Sequence, residues 1–186
     1  MILARWFGRG SDAEVSRAVY ERVVAQAREP GFYARLGVPD TPEGRFEMLT
    51  LHLFLVLHRL KHEPGDPETA ALAQSLTDHL VADMDANLRE MGAGDLGVGR
   101  KVKRMAGALY GRIAAYEAGL DRGEAALREA LRQTVFATTT PTAEQVAALV
   151  GYLLAARDRL AERTAGELAR GTIDFPMPET IASPSR

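Results

Sequence analysis

The chain has 186 residues, no cysteine, 46% hydrophobic and 26% charged residues, and a formal net charge of −2. That length can bury a substantial core without staples, and the missing thiols exclude disulfides, thiolate metal sites and cysteine nucleophiles. A charge balance this even argues against a nucleic-acid-binding domain, for which a strongly basic footprint is expected, and no apolar run approaches the roughly 20 residues of a membrane span.

The N-terminal stretch MILARWFGRG places Ile2, Leu3, Trp6 and Phe7 beside Arg5 and Arg9. It is too short for a secretory signal and reads as a segment folded back on the core. The competing reading is a membrane-interface anchor, since a tryptophan flanked by arginines suits the headgroup region. Ser11 with Glu14 has the spacing of a capping box, and Val15, Val19, Val23 and Ala27 then recur at helical spacing. Pro30, Pro39 and Pro42 interrupt, with Phe32, Tyr33 and Leu36 marking a short packed turn between them.

Thr41 followed by Pro42 is an N-cap with a helix-compatible proline. From Phe46 to Leu60 ten of fifteen residues are apolar. They cover every side of the predicted helix, which places it at the centre of the fold. Asp66-Pro67 opens the next helix, with Thr69, Leu72, Leu76, Leu80, Met84, Leu88 and Met91 as its buried stripe. A further helix is predicted from Val98 to Gly119, carrying Val102, Met105, Leu109, Ile113 and Tyr116 at steps of three and four. Leu127 and Leu131 mark a shorter helix, and Thr142 with Gln145 caps a last one expected to reach about Gly171. Residues 172–186 read as an extended, proline-broken tail. No alternating strand pattern or internal repeat interrupts this series. The predicted fold is all-α, a single compact domain over residues 1–186 with about six helices.

The stretch REMGAGDLGVGRKVKRMAGALYGR, residues 89–112, concentrates six glycines and six basic side chains. Gly92, Gly94 and Gly97 match the dinucleotide fingerprint letter for letter, but that fingerprint works in a turn between a strand and a helix. The residues before Gly92 have a helical period instead. A phosphate loop fares no better, because Arg100 and Lys101 stand where its lysine and hydroxyl residue are required. Gly92 and Gly94 therefore read as a helix stop, after which Asp95 can cap the next helix.

Gly107 and Gly111 fall inside a helix, where each glycine costs roughly 1 kcal/mol against alanine. At 100° per residue they lie opposite the stripe of Val98, Val102, Met105, Leu109 and Tyr116, amid Arg100, Lys103 and Arg104. Two glycines four apart leave a shallow groove that another backbone can approach. One of the protein's own helices could fill it, or a partner helix could dock there. Charge is also divided: Glu63 to Asp95 holds eight acidic residues and one basic, whereas Leu96 to Arg112 holds five basic and none acidic. The two blocks could pair across a helical hairpin, and only an uncovered excess would steer an outside partner.

His52, His58 and His62 crowd one helix, with the last two four apart. They could begin a zinc site but lack further ligands at a recognisable spacing, and no Glu-x-x-His of a di-iron bundle occurs. His58 and His62 read as surface residues near a helix C-terminus, where cationic character is favourable. Asp83 and Asp85 are two apart and do not share a face, while Asp85 and Arg89 have ion-pair spacing. The sequence therefore predicts no catalytic residue, no metal site and no cofactor.

The segment DMDANLREMGAGDLGVGRKVKRMAGALYGRIAAYEAGL, with FYARLGVPDTPEGRFEMLTLHLFLVLHRL upstream, resembles the signature of the ubiquinol–cytochrome c chaperone family. Asp-x-Asp, Arg-Glu-Met-Gly, Gly-Asp-Leu and the basic valine-centred segment occur in order, and the two blocks span most of residues 32–120. The chain carries no long targeting extension, so a bacterial member is expected. The resemblance implies a non-catalytic protein that receives newly made cytochrome b and helps assemble the ubiquinol–cytochrome c reductase. It would work at the inner face of the cytoplasmic membrane, with no small-molecule substrate and no specific DNA contact. The residues expected to bind partners are Asp83, Asp85 and Arg89, then Asp95, Arg100, Lys101, Lys103, Arg104, Gly107, Tyr110 and Gly111. Tyr110 lies beside the apolar stripe and could simply pack there. The basic residues would also favour anionic lipid or ribosomal RNA. The alternatives are a peripheral lipid-binding adaptor using the Trp6 segment with residues 100–104, or a small helical enzyme using His52, His58 or Asp83.

Overall fold

The computed structural model describes residues 4–62, 66–90 and 95–180, with side chains for 13–62, 66–86, 89, 107–164 and 166–179. Among these residues the structure is all helix and turn, with no strand. In chain order the elements are α1 (Ala4–Ala27), α2 (Pro30–Ala34), α3 (Pro42–Lys61), α4 (Pro67–Glu90), α5 (Asp95–Arg122), α6 (Glu124–Gln133), α7 (Ala143–Ala161) and α8 (Ala165–Ala169). A single 3-10 turn follows at Pro178–Thr180.

The predicted caps are in place at α3, α4 and α7. Thr41 accepts from the Gly44 amide at 3.1 Å with Pro42 in the first turn, and Asp66 Oδ1 accepts from the Glu68 amide at 3.1 Å. Thr142 and Gln145 close a reciprocal capping box. Two expected boundaries differ. The Ser11–Glu14 pattern does not start α1, because the helix runs upstream through Gly8 and Gly10 to Ala4 and leaves Ser11 in its interior. The last helix ends at Ala161, not near Gly171. There Thr164 accepts from the Glu167 amide and the Glu167 carboxylate returns to the Thr164 amide at 2.8 Å, so the chain caps afresh and begins α8. Gly171, at φ 86°, ends it in a conformation that glycine adopts freely.

α3 is central, as its all-round apolar surface requires, and packs against α1, α4, α5 and α7. Met48 and every residue from Thr50 to Val56 are buried. The stripes of the other helices face it: Val19, Val23 and Ala27 on α1, Leu72, Leu76, Leu80 and Met84 on α4, Leu109 and Tyr116 on α5, Leu127 and Leu131 on α6. The described part of the tail, residues 172–180, is extended up to the 3-10 turn and held down. Arg22 donates to the Ile173 carbonyl at 2.9 Å, Gln26 donates to the Pro176 carbonyl at 3.0 Å, and Ile173 and Pro178 are buried.

A polar knot sits inside this core. His52 is fully buried, and its Nδ1–H donates to the Met48 carbonyl at 2.7 Å. Its Nε2 must therefore accept, and it does so from the Tyr152 hydroxyl at 2.7 Å. Gln26 in turn donates to that hydroxyl at 3.0 Å. Phe32 and Phe175 meet the His52 ring edge to face. Burial disfavours the imidazolium and pushes His52 down from 6.5 to about 4. His52 is thus a satisfied core residue with no free nitrogen for catalysis.

The depressed value links stability to pH. The unfolded chain protonates this histidine near 6.5 and the folded chain only near 4, so stability is full above 6.5 and falls as pH drops towards 4. Between pH 6.5 and 5 the loss from His52 is about 2 kcal/mol, a window in which carboxylates are still largely ionised. Urea unfolding across that window should show the decline, and His52→Gln should flatten it. An equal slope in the variant would place the effect elsewhere.

Candidate functional site

α1, α3, α4 and α5 enclose a cavity of about 590 Å3. Val24 and Ala27 of α1, Phe46 and Leu49 of α3, Met84 of α4 and Ala108 of α5 give it an apolar lining. Charged side chains enter from α3, α4 and α5 and from the turn after α1: Glu43, Arg45, Glu47, Asp83, Arg112 and Arg28. Most of these are engaged. Glu47, only 8% exposed at its side chain, takes the Arg112 guanidinium, whose Nε lies 2.8 and 2.7 Å from its two oxygens and whose Nη2 also binds Oε1. Arg112 also donates to the Ala108 carbonyl at 3.1 Å and lies 5.9 Å from the Phe46 ring centre. The hydrogen bond to Glu47 raises the guanidinium above its ordinary value against the opposing effect of burial. Arg45 pairs with Asp40 at 2.7 Å and sits over the Tyr33 ring.

Of the residues predicted from sequence, Asp83 reaches this cavity. It accepts a 2.8 Å hydrogen bond from the Tyr20 hydroxyl. Burial first, and then Asp83, push the Tyr20 hydroxyl upward, so Tyr20 remains a protonated donor. Asp83 therefore ties α4 to α1. Asp85 and Arg89 form the expected i,i+4 pair at 2.7 Å, on the same helix but apart from the cavity lining. Asp95 is the first residue of α5. Arg100, Lys101, Lys103 and Arg104 lie on α5 with side chains outside the described residues. The side chain of Leu88 on α4 is also outside them, and Met91 and the Gly92–Gly94 stop lie outside the described residues entirely.

Gly107 and Gly111 answer the question of the groove. Both are exposed, and a methyl group added at either would meet nothing within 4 Å. No described helix fills the groove. Tyr110, placed among the partner-binding residues with packing beside the apolar stripe as the alternative, is 65% exposed, which goes against the packing. Its angular position on α5 turns it towards the glycine face while Leu109 and Tyr116 take the core side. Ala108 and Arg112 line the cavity one position on from Gly107 and Gly111, so the open face and the cavity adjoin along α5.

The histidines divide differently from expectation. His62 is exposed, but His58 is mostly covered, at 13% side-chain exposure, and binds Glu117 at 3.2 Å. The Glu47–Arg112 pair was not anticipated. Its signal was legible: Glu47 is the one carboxylate within the apolar run of α3, and a buried carboxylate requires a partner.

A protein of this class is a helical body with an open helix face and an adjoining cavity, a binding architecture. Residues 34–175 match the model of the ubiquinol–cytochrome c chaperone family, and the chain belongs to that family. It is also similar to the crystal structure of the Cbp3 homolog from Brucella abortus. The two share 41% sequence identity with a TM-score of 0.87, over 98% of this chain and 100% of that one. No curated protein sequence matches the chain.

The Glu47–Arg112 pair yields a test of how the cavity is held. Glu47→Gln leaves the guanidinium at the cavity floor without its counter-charge, and should cost about 2–4 kcal/mol. Glu47→Gln with Arg112→Met should recover much of that loss in denaturant unfolding. Equal stability of the single variant and the parent would show that the pair does not hold α3 to α5.

Proposed function

We propose that this chain, as one chaperone domain, is a non-catalytic assembly factor that holds unassembled cytochrome b for the ubiquinol–cytochrome c reductase. The observation that carries the reading is the open face of α5, where Gly107 and Gly111 leave room for a helix backbone beside exposed Tyr110. A membrane helix of the client can approach such a face closely, and the adjoining apolar cavity can take a protruding side chain. Family membership supports the assembly role. No helix among the described residues is long and apolar enough to cross a membrane, which suits a body that meets the inner face of the cytoplasmic membrane from one side. Arg100, Lys101, Lys103 and Arg104 extend the same helix and would favour anionic lipid or ribosomal RNA. Asp83, Asp85 and Arg89 on α4 and Asp95 at the start of α5 are the further residues to which this reading assigns partner contacts.

Two experiments test the reading. A reduced-minus-oxidised spectrum of membranes from cells lacking the gene should lose the cytochrome b signal and keep other respiratory haems; a normal signal would sink the proposal. At the residue level, Gly107→Leu should fold at least as well as the parent, gaining up to about 1 kcal/mol of helix propensity, yet capture less cytochrome b in a pull-down. Unchanged capture would move the binding face away from the glycines. Strong vesicle flotation without any client would favour the lipid adaptor instead.

A further inference from the structure

The C-terminal turn of α3 brings two imidazoles tip to tip. His58 Nε2 and His62 Nε2 are 3.3 Å apart, while the ring centres are 4.6 Å apart, so the rings lean together at their Nε2 ends. Two nitrogen ligands at 2.0–2.1 Å from a tetrahedral ion stand about 3.3 Å from each other. The pair already has that separation.

The other nitrogen of His58 is fixed as well. A carboxylate only accepts, so Nδ1–H of His58 donates to Glu117 Oε1 at 3.2 Å. That contact leaves the lone pair on Nε2, the atom facing His62, and reproduces the carboxylate–histidine arrangement that orients metal ligands and raises their basicity. Lys61 holds the second oxygen of Glu117 at 3.3 Å and fixes the carboxylate.

We propose that His58 and His62 form a two-histidine site for a divalent transition-metal ion such as Zn2+ or Cu2+, with Glu117 as its outer partner. Imidazole donors without thiolate suit these ions. Among the described residues no cluster of three or more histidine, aspartate and glutamate donors converges, so the ion takes two protein ligands here and completes its shell with water. A cavity of about 270 Å3, lined by both histidines together with Leu55, Arg59, Arg157 and Ala161, gives the water room.

Nearby positive charge opposes a cation but is drawn elsewhere. Arg59 turns onto the Arg163 carbonyl at 3.1 and 2.8 Å, and Arg157 pairs with Asp158 at 2.6 Å. Without an ion, His62 donates Nε2–H to His58. Binding moves that proton to Nδ1, a tautomer change that costs little for an exposed ring. The site is independent of the chaperone reading and stands or falls separately from it.

Titration calorimetry of the full, tag-free chain with ZnCl2 at neutral pH should show one saturable ion per chain. His62→Ala, at an exposed position, should keep the parent melting temperature and lose the saturable phase. Glu117→Ala should weaken binding about tenfold. With CuCl2, the electron paramagnetic resonance spectrum should carry hyperfine structure from two imidazole nitrogens. Absence of saturable binding to either ion, or one-ion binding that survives in His62→Ala, would overturn the site. Unchanged affinity in Glu117→Ala would overturn the part assigned to the carboxylate.

Discussion

The all-round burial of the middle of α3, where every residue from 47 to 56 but Leu49 is buried, is the constraint on which the rest of the structure depends. A helix without a solvent face must supply an internal partner for each polar side chain it carries, or bear the desolvation cost. Glu47 finds Arg112 on α5, and His52 finds Tyr152 on α7 and the Met48 carbonyl of its own helix. These contacts are directional where the surrounding leucines are not. They set how α5 and α7 are turned against α3, which apolar packing alone would leave less defined. Thr50 is the exception: its Oγ1 is buried with no partner among the described residues.

The orientation of α5 has a consequence for binding. With Arg112 drawn onto Glu47 and Leu109 and Tyr116 sunk in the core, the opposite side of the helix must face outward. That side carries Gly107 and Gly111. Glycine inside an exposed helix weakens it and contributes no packing within the fold, so nothing in the stability of the monomer accounts for either residue. Gly119, on the same helix, differs: a methyl group there would come within 3.0 Å of the Leu127 backbone, so it serves the close packing of α5 on α6. The same residue type thus has an internal use at one position and an external opening at two others.

Much of this was legible in the sequence, for reasons that differ by element. The period of α1 and α4, the all-round apolarity of α3, and the caps at Thr41, Asp66 and Thr142 are local signals, and the structure follows them. Boundaries failed where a local signal competed with another of equal strength. Ser11 resembles a cap, but the preceding residues also form helix, and Thr164 with Glu167 restarts a helix within a stretch whose composition is helical throughout. The site was harder to read because it is built from pairs distant along the chain. Spacing along α5 placed Gly107 and Gly111 opposite the stripe, but only the fold shows that, among the described residues, nothing comes within 4 Å of a methyl group added at either. Tyr110 lay at the margin of the stripe in projection and turned outward. Asp83 was placed among the partner-binding residues from its position at the end of α4, and the fold adds the anchor from Tyr20 of α1, 63 residues away, that spacing cannot show.

The histidines of α3 illustrate how environment separates residues that composition treats alike. His52 is enclosed by Phe32, Tyr152 and Phe175, with both nitrogens committed to protein partners. Six residues on, His58 meets Glu117, whose carboxyl is raised by burial but held below its usual range by hydrogen bonds from His58 and Lys61. An ionised carboxylate there fixes the proton of His58 on Nδ1 and turns the free lone pair towards His62. One turn later His62 is in solvent, where its proton can move between nitrogens. A single helix therefore carries, from its centre to its end, an imidazole locked as neutral structure, one oriented by a carboxylate, and one free to adapt. Only the last two, side by side at the rim, have a nitrogen that is committed to nothing but the other imidazole.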